Sequence, residues 1–184
     1  MILWRVLPWW PDARSRDPGG PLWFPRELQG AGRHDNPDRY GCLYVGELPV
    51  SPVAEALAPF RGAGVLTEGM LRRTGAPLAL AQLSFPDDSR VIDLDDPGVL
   101  VDVGLSPSQV ATGVRVVTQA YAARLFGRRP APDGLRWSST IEASLANLTI
   151  FDRAQSSLEL IDTAPLTLAD SVVHEAAELV GLAV

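Results

Sequence analysis

Strand-like and helix-like apolar runs follow one another along this chain in no regular alternation, an order that fits an α+β domain. "ILWRVL" at Ile2–Leu7 reads as a first strand, ended by Pro8 and interrupted by Arg5. Residues 11–36 are so rich in Gly, Pro, Arg and Asp that they read as a loop, and one too long to be a mere connector. "GCLYVGEL" is a second strand. "SPVAEALAPF" then reads as a short helix over residues 52–58, with Ser51 as N-cap and Pro52 at the first helical position.

Further strands are expected at Leu78–Phe85, "GLRWSS", "ANLTIFDRA" and "SLELIDT", with "SRVIDLDDPGVL" as an extended segment followed by a turn. "PSQVATGVRVVTQAYAARLFGR" carries Val110, Val114, Val117, Ala120, Tyr121 and Leu125 at helical spacing and is expected to be the longest helix. The last segment, with Thr167 and Asp170 in a capping pattern, reads as a closing amphipathic helix.

A length of 184 residues, 46% hydrophobic and 21% charged, fits a single domain over residues 1–184 with room for a sizeable core. No run approaches the roughly 18 apolar residues of a membrane span, and the N-terminus lacks the pattern of a secretory signal, so a cytoplasmic protein is expected. Cys42 is the only cysteine and His34 and His174 the only histidines, too few for a disulfide or for a Cys/His metal site. A net charge of −6 argues against nucleic acid as a partner and leaves small molecules or proteins.

No glycine-rich phosphate loop, G-x-S-x-G or H-E-x-x-H motif is present. What stands out is a scattered polar set on otherwise apolar elements: Arg5, Arg33, Tyr44, Glu55 and Ser139. Taken singly, each has a plain structural explanation. Glu55, opposite Val53 and Leu57 on its helix, fits a solvated outer face, and Tyr44 fits a core aromatic with its hydroxyl at the rim.

Their order carries more than any one of them. "LWRV", then "GAGRHDNPDRYG", then "LYVGELPVSPVAEA", followed downstream by "LAQLSFPDDSRVIDLDDPGVL" and "GLRWSSTIEASLANLTIFD", resembles the RES domain family over nearly the whole chain. That family is named for its Arg, Glu and Ser residues. Carried over, its strand arginine falls on Arg5, its loop arginine on Arg33, its tyrosine on Tyr44, its glutamate on Glu55 and its serine on Ser139, with Ser138 competing for the last role. The chain departs from the family pattern at His34 and Asp35, where Trp and Asn are common, and at Trp137 and Ser138, where Tyr and Pro are usual.

The resemblance implies a twisted, split central sheet like that of the ADP-ribosyltransferases. It also implies a toxin of a toxin-antitoxin pair that acts on NAD as substrate and is held in check by an antitoxin with a helix-turn-helix domain. Members break the nicotinamide-ribose bond by phosphorolysis or hydrolysis, and some ADP-ribosylate a protein. By the same analogy Glu55 stabilises the ribose cation, with Arg33 and Ser139 as further catalytic groups. Arg5 and Arg33 hold the pyrophosphate, Tyr44 packs on nicotinamide or its ribose, and Ser139 orients the carboxamide or the base of the pocket. The altered motifs leave open a different class, a catalytically degenerate domain that only binds a partner protein. Arginine supplies all 16 basic residues and lysine none, so the choice of arginine at any one position is uninformative by itself.

Overall fold

The computed structural model describes residues 1–184. In chain order it contains β1 (Ile2–Pro8), β2 (Cys42–Gly46), α1 (Val50–Leu57), β3 (Arg72–Arg73), β4 (Ala76–Ser84), β5 (Val91–Asp93) and α2 (Pro97–Val103). There follow α3 (Pro107–Ala111), α4 (Arg115–Phe126), β6 (Gly134–Ser138), β7 (Ala146–Phe151), β8 (Glu159–Pro165) and α5 (Ser171–Leu179). The strands form one sheet in the order β3-β4-β1-β2-β7-β6-β5, with β8 paired to β4, and every pairing is antiparallel except β5 with β6. This is the expected α+β architecture.

The sheet is continuous in name only between β1 and β2. Their single register pair is Trp4 with Gly46, whereas β1 and β4 are paired from Ile2–Ser84 to Pro8–Leu78, and β2 and β7 along all of β2. Continued by two residues, the β1/β2 ladder would set Val6 opposite Tyr44; instead the strands part, and the sheet falls into two halves.

Packing follows the alternation of the strands. One face is covered across both halves, with Leu3, Leu7, Ala81 and Leu83 from the first and Leu43, Leu148 and Ile150 from the second. Leu22 and Phe24 of the long loop pack on this face. The opposite face is covered in two separate blocks. α1 and α5 pack on the β1/β4 half through Val53, Leu57, Val173 and Ala177. α2, α3 and α4 pack on the β2/β7/β6 half through Leu100, Val110, Tyr121 and Leu125. A gap remains between the two helical blocks, above the line where the ladder parts.

Three local expectations change. Residues 107–128 do not form one helix: α3 stops at Ala111, Thr112 is extended, and α4 begins at Arg115. Gly113 interrupts the helical run, and Thr112 Oγ1 accepts from the Val114 N–H. The stretch read as a turn after "VIDLD" is α2, capped by Asp96, whose carboxylate accepts from the N–H groups of Gly98 and Val99, with Pro97 at its first position. α1 starts one residue before Ser51, which does not cap it; the Ser51 hydroxyl donates instead to Asn147 Oδ1 at 2.7 Å. Gly46 allows this close approach, since a Cβ there would lie 2.7 Å from Pro52 Cδ and 2.9 Å from Ser51 Cβ.

Candidate active site

A cleft of about 350 Å³ occupies the gap between the helical blocks. Val6 of β1 and Tyr44 of β2 line it where the ladder parts; Glu55 of α1 stands on one wall, Arg33 and Arg115 on the other, with Trp137, Thr140 and Asn147 below and beside them. The helix face that reads as solvated in the sequence is therefore exposed to a cleft. Val53 and Leu57 anchor α1 to α5, and Glu55 is turned away from that contact.

Ser139, 4% exposed, donates its hydroxyl to Glu55 Oε1 at 2.7 Å and accepts from the Ile141 N–H. The carboxylate is thus held by a buried group that is itself fixed, and its second oxygen is left for the cleft. Ser138 points elsewhere and donates to Asp95 Oδ2. Of the two serines, Ser139 is the one brought to the glutamate.

The arginines divide differently from expectation. Arg33 lines the cleft, but its Nη1 donates to the carbonyls of Val110 and Thr112 at 2.7 and 3.1 Å, and its guanidinium lies over the Trp137 ring. The break between α3 and α4 frees those carbonyls: in a continuous helix Val110 would accept from the N–H four residues on. Arg5 is absent from the cleft lining. Strand alternation places it on the opposite sheet face with Leu3 and Leu7, where Nη1 donates to the carbonyls of Pro21 and Trp23. Burial lowers its pKa to about 10, which still leaves it charged at neutral pH. Arg5 ties down the long loop from the sheet face opposite Glu55.

Sequence reasoning missed Arg115. It is exposed in the cleft at the first position of α4, and no carboxylate or carbonyl holds its guanidinium. The freed backbone N–H groups of that helix end add to its positive potential.

Tyr44 contacts the cleft, yet its hydroxyl is committed inward. It donates to Asp35 Oδ1 at 2.7 Å and accepts from the His34 N–H at 2.8 Å, and burial, Cys42 and Asp35 push its pKa well above the ordinary value. Asp35 is the hub of the "GAGRHDN" loop: its Oδ2 accepts from the N–H groups of Gly30 and Gly32. A Cβ at Gly32 would come within 2.6 Å of both the Asp35 carboxylate oxygen and the Tyr44 hydroxyl, so the loop closes this tightly only around glycine.

The RES domain model matches residues 2–169. The chain belongs to the RES domain family. A chain of the M. tuberculosis MbcT-MbcA toxin-antitoxin complex has the same fold, with a TM-score of 0.65 and 20% identity over 98% of this chain and 88% of that one. No curated protein sequence matches significantly.

In this RES domain two of the departures from the family pattern, His34 and Trp137, meet one another. His34 packs edge-on against Trp137 at 5.6 Å between ring centroids, and both bond Thr149 Oγ1, through His34 Nδ1 at 2.7 Å and Trp137 Nε1 at 3.1 Å. His34 Nε2 meets the Tyr121 hydroxyl at 2.9 Å. Neither His34 nor Asp35 lines the cleft. His34 and Asp35 lie behind the site and support it, whereas Trp137 itself lines the cleft.

This buried histidine makes acid stability a test of the arrangement. Burial first, then Arg33 and Arg115, hold the His34 pKa well below 6.5. The unfolded chain therefore binds a proton below pH 6.5 that the folded chain refuses, so stability is retained above that pH and lost as pH falls. Denaturant unfolding should show a loss approaching about 1.4 kcal/mol per pH unit between pH 6 and 5 from this one group. A flat profile across that window would mean that His34 is protonated in the folded protein.

Proposed function

We propose that this RES domain is an NAD-consuming toxin that breaks the bond between nicotinamide and ribose, with phosphate or water as acceptor. The observation that carries the reading is the Ser139–Glu55 pair, a carboxylate fixed at 2.7 Å by a buried hydroxyl at the edge of a cleft with two arginines on its far wall. As the C1′–N bond lengthens, its electron pair passes to the pyridinium ring and neutralises it, while positive charge gathers on the ribose. Glu55 is set to stabilise that charge; an anionic phosphate oxygen then bonds to C1′, or a water oxygen does so and gives up a proton to solvent.

Within this reading Ser139 positions Glu55, which replaces the role of orienting the carboxamide. Arg115 takes the pyrophosphate role first given to Arg5, with Arg33 beside it as a fixed charge. Trp137 and Tyr44 form the aromatic floor. Of the departures from the family pattern, His34 and Trp137 are packed on each other, and together the four leave the Glu55 side of the cleft complete, which favours an enzyme over a degenerate binding domain.

The structural likeness to a chain of a toxin-antitoxin complex supports an antitoxin partner, and the family resemblance supports a helix-turn-helix domain within it. NAD is a substrate in this scheme, with no prosthetic group required. No helix is long and apolar enough to cross a membrane.

Expression of the chain alone should arrest growth and deplete NAD, and co-expression of the antitoxin should reverse both. Purified protein should yield ADP-ribose phosphate when phosphate is the acceptor and ADP-ribose when water is. Arg115→Ala should weaken NAD binding by roughly tenfold, the scale of one charge-assisted hydrogen bond to phosphate, and calorimetry would show it. Unchanged affinity would move the pyrophosphate away from α4.

A further inference from the structure

Asn147 stands in the floor of the cleft with half of its amide unused. It is 3% exposed and lies in β7 between Gly46 of β2 and Trp137 of β6. Ser51 donates to its Oδ1 at 2.7 Å, while Nδ2 is sealed from water and has no partner. Reversing the amide would not relieve this: Ser51 would then accept from Nδ2, and Oδ1 would be left bare.

Neighbouring polar groups on the same sheet face are all satisfied. Trp137 Nε1 and His34 Nδ1 share Thr149 Oγ1, and the Tyr44 hydroxyl is held between Asp35 and His34. A buried amide end without a partner is costly enough to be rare, so its presence in a cleft wall marks a bond that a bound molecule completes. The position tells which part of that molecule. Ser51, which fixes Asn147, and Glu55 are four residues apart on α1 and so share one helix face.

We propose that a small shift of the cleft wall on binding uncovers Asn147 Nδ2, which then donates to an uncharged oxygen on the nicotinamide-riboside half of NAD, either the carboxamide oxygen or the 2′-hydroxyl of the ribose. The inference rests on the NAD reading above. It makes Asn147 a specificity-determining residue: it confirms the group that is about to leave, or the sugar that it leaves, on the same side of the cleft as Glu55.

The test is calorimetry in the Glu55→Gln background, where NAD should remain intact, with three ligands: NAD, the dinucleotide with plain pyridinium in place of nicotinamide, and the dinucleotide lacking the 2′-hydroxyl of the nicotinamide ribose. Asn147→Ala should weaken NAD by on the order of tenfold, the scale of a buried hydrogen bond lost. It should leave unchanged the affinity for whichever analogue lacks the oxygen that Asn147 reads, which identifies that oxygen. Asn147→Asp keeps the shape and the Ser51 contact but removes the donor, and should lose the same discrimination even if the alanine variant folds poorly. Equal weakening of all three ligands, or no weakening of any, would overturn the assignment and reduce Asn147 to packing or to a buried water site. If neither the wild type nor Glu55→Gln binds NAD, the NAD reading itself fails and takes this inference with it. Binding of NAD with discrimination untouched by Asn147 defeats this inference alone.

Discussion

Glu55→Gln is expected to leave NAD binding intact and to slow NAD cleavage by roughly a hundredfold or more, the scale of removing one electrostatic stabiliser of a charged transition state. Glutamine keeps the size of the side chain, and its amide oxygen still accepts from Ser139, so the wall of the cleft stays in place. Only the negative charge goes, and that charge matters when the ribose becomes cationic. Ser139→Ala should cost less, because it frees Glu55 to wander without discharging it. Single-turnover kinetics with both variants would order them, and a Ser139→Ala defect as large as that of Glu55→Gln would mean that the serine meets the substrate directly.

The second large effect should come from Asp35, which does not touch the cleft. It is 5% exposed and accepts from the Gly30 N–H, the Gly32 N–H and the Tyr44 hydroxyl at 2.7 to 2.8 Å. Asp35→Ala removes the acceptor and leaves these donors facing a small void. Stranding these three part-buried donors at once should cost about 3 kcal/mol, or roughly 6–12 °C in melting temperature for a domain of this size. Because the loop also carries Gly32 and Arg33 into the cleft, NAD binding should fall with it. Thermal melting and amide hydrogen exchange at Gly30 and Gly32 would check this; a native melting temperature with protected amides would show that the loop is held by other contacts.

Much of this arrangement is legible in the sequence, though unevenly. The order of Arg33, Tyr44, Glu55 and Ser139 leads to residues that the fold gathers round one cleft or, for Ser139, behind its wall. Arg5 misleads for a physical reason. β1 is covered on both faces, with Leu3 and Leu7 buried on one and Trp4 and Val6 half-buried on the other, so alternation cannot say which face meets the site. Arg115 is invisible because nothing marks it among 16 arginines until Gly113 breaks the helix before it. The stripe of Val110, Val114 and Val117 runs straight through that break, and periodicity alone reads it as continuous.

Asn147 is hidden in another way. All six residues of "ANLTIF" are buried, so the strand shows no polar and apolar faces. Only the polar residues at positions 147 and 149, two apart and hence on one side, hint that this side faces something other than core. Asp96-Pro97 was a readable helix start, and the acidic run around it obscured the signal.

Cleavage of NAD in this cleft is the central expectation. Nicotinamide released from NAD by purified protein, followed over time for wild type and Glu55→Gln at saturating NAD, tests it most directly. Steady release by the wild type, with a drop of roughly a hundredfold in a Glu55→Gln protein that still binds NAD, is the predicted result. NAD left intact by the folded wild type with phosphate and water both present, or release as fast from Glu55→Gln, would contradict it.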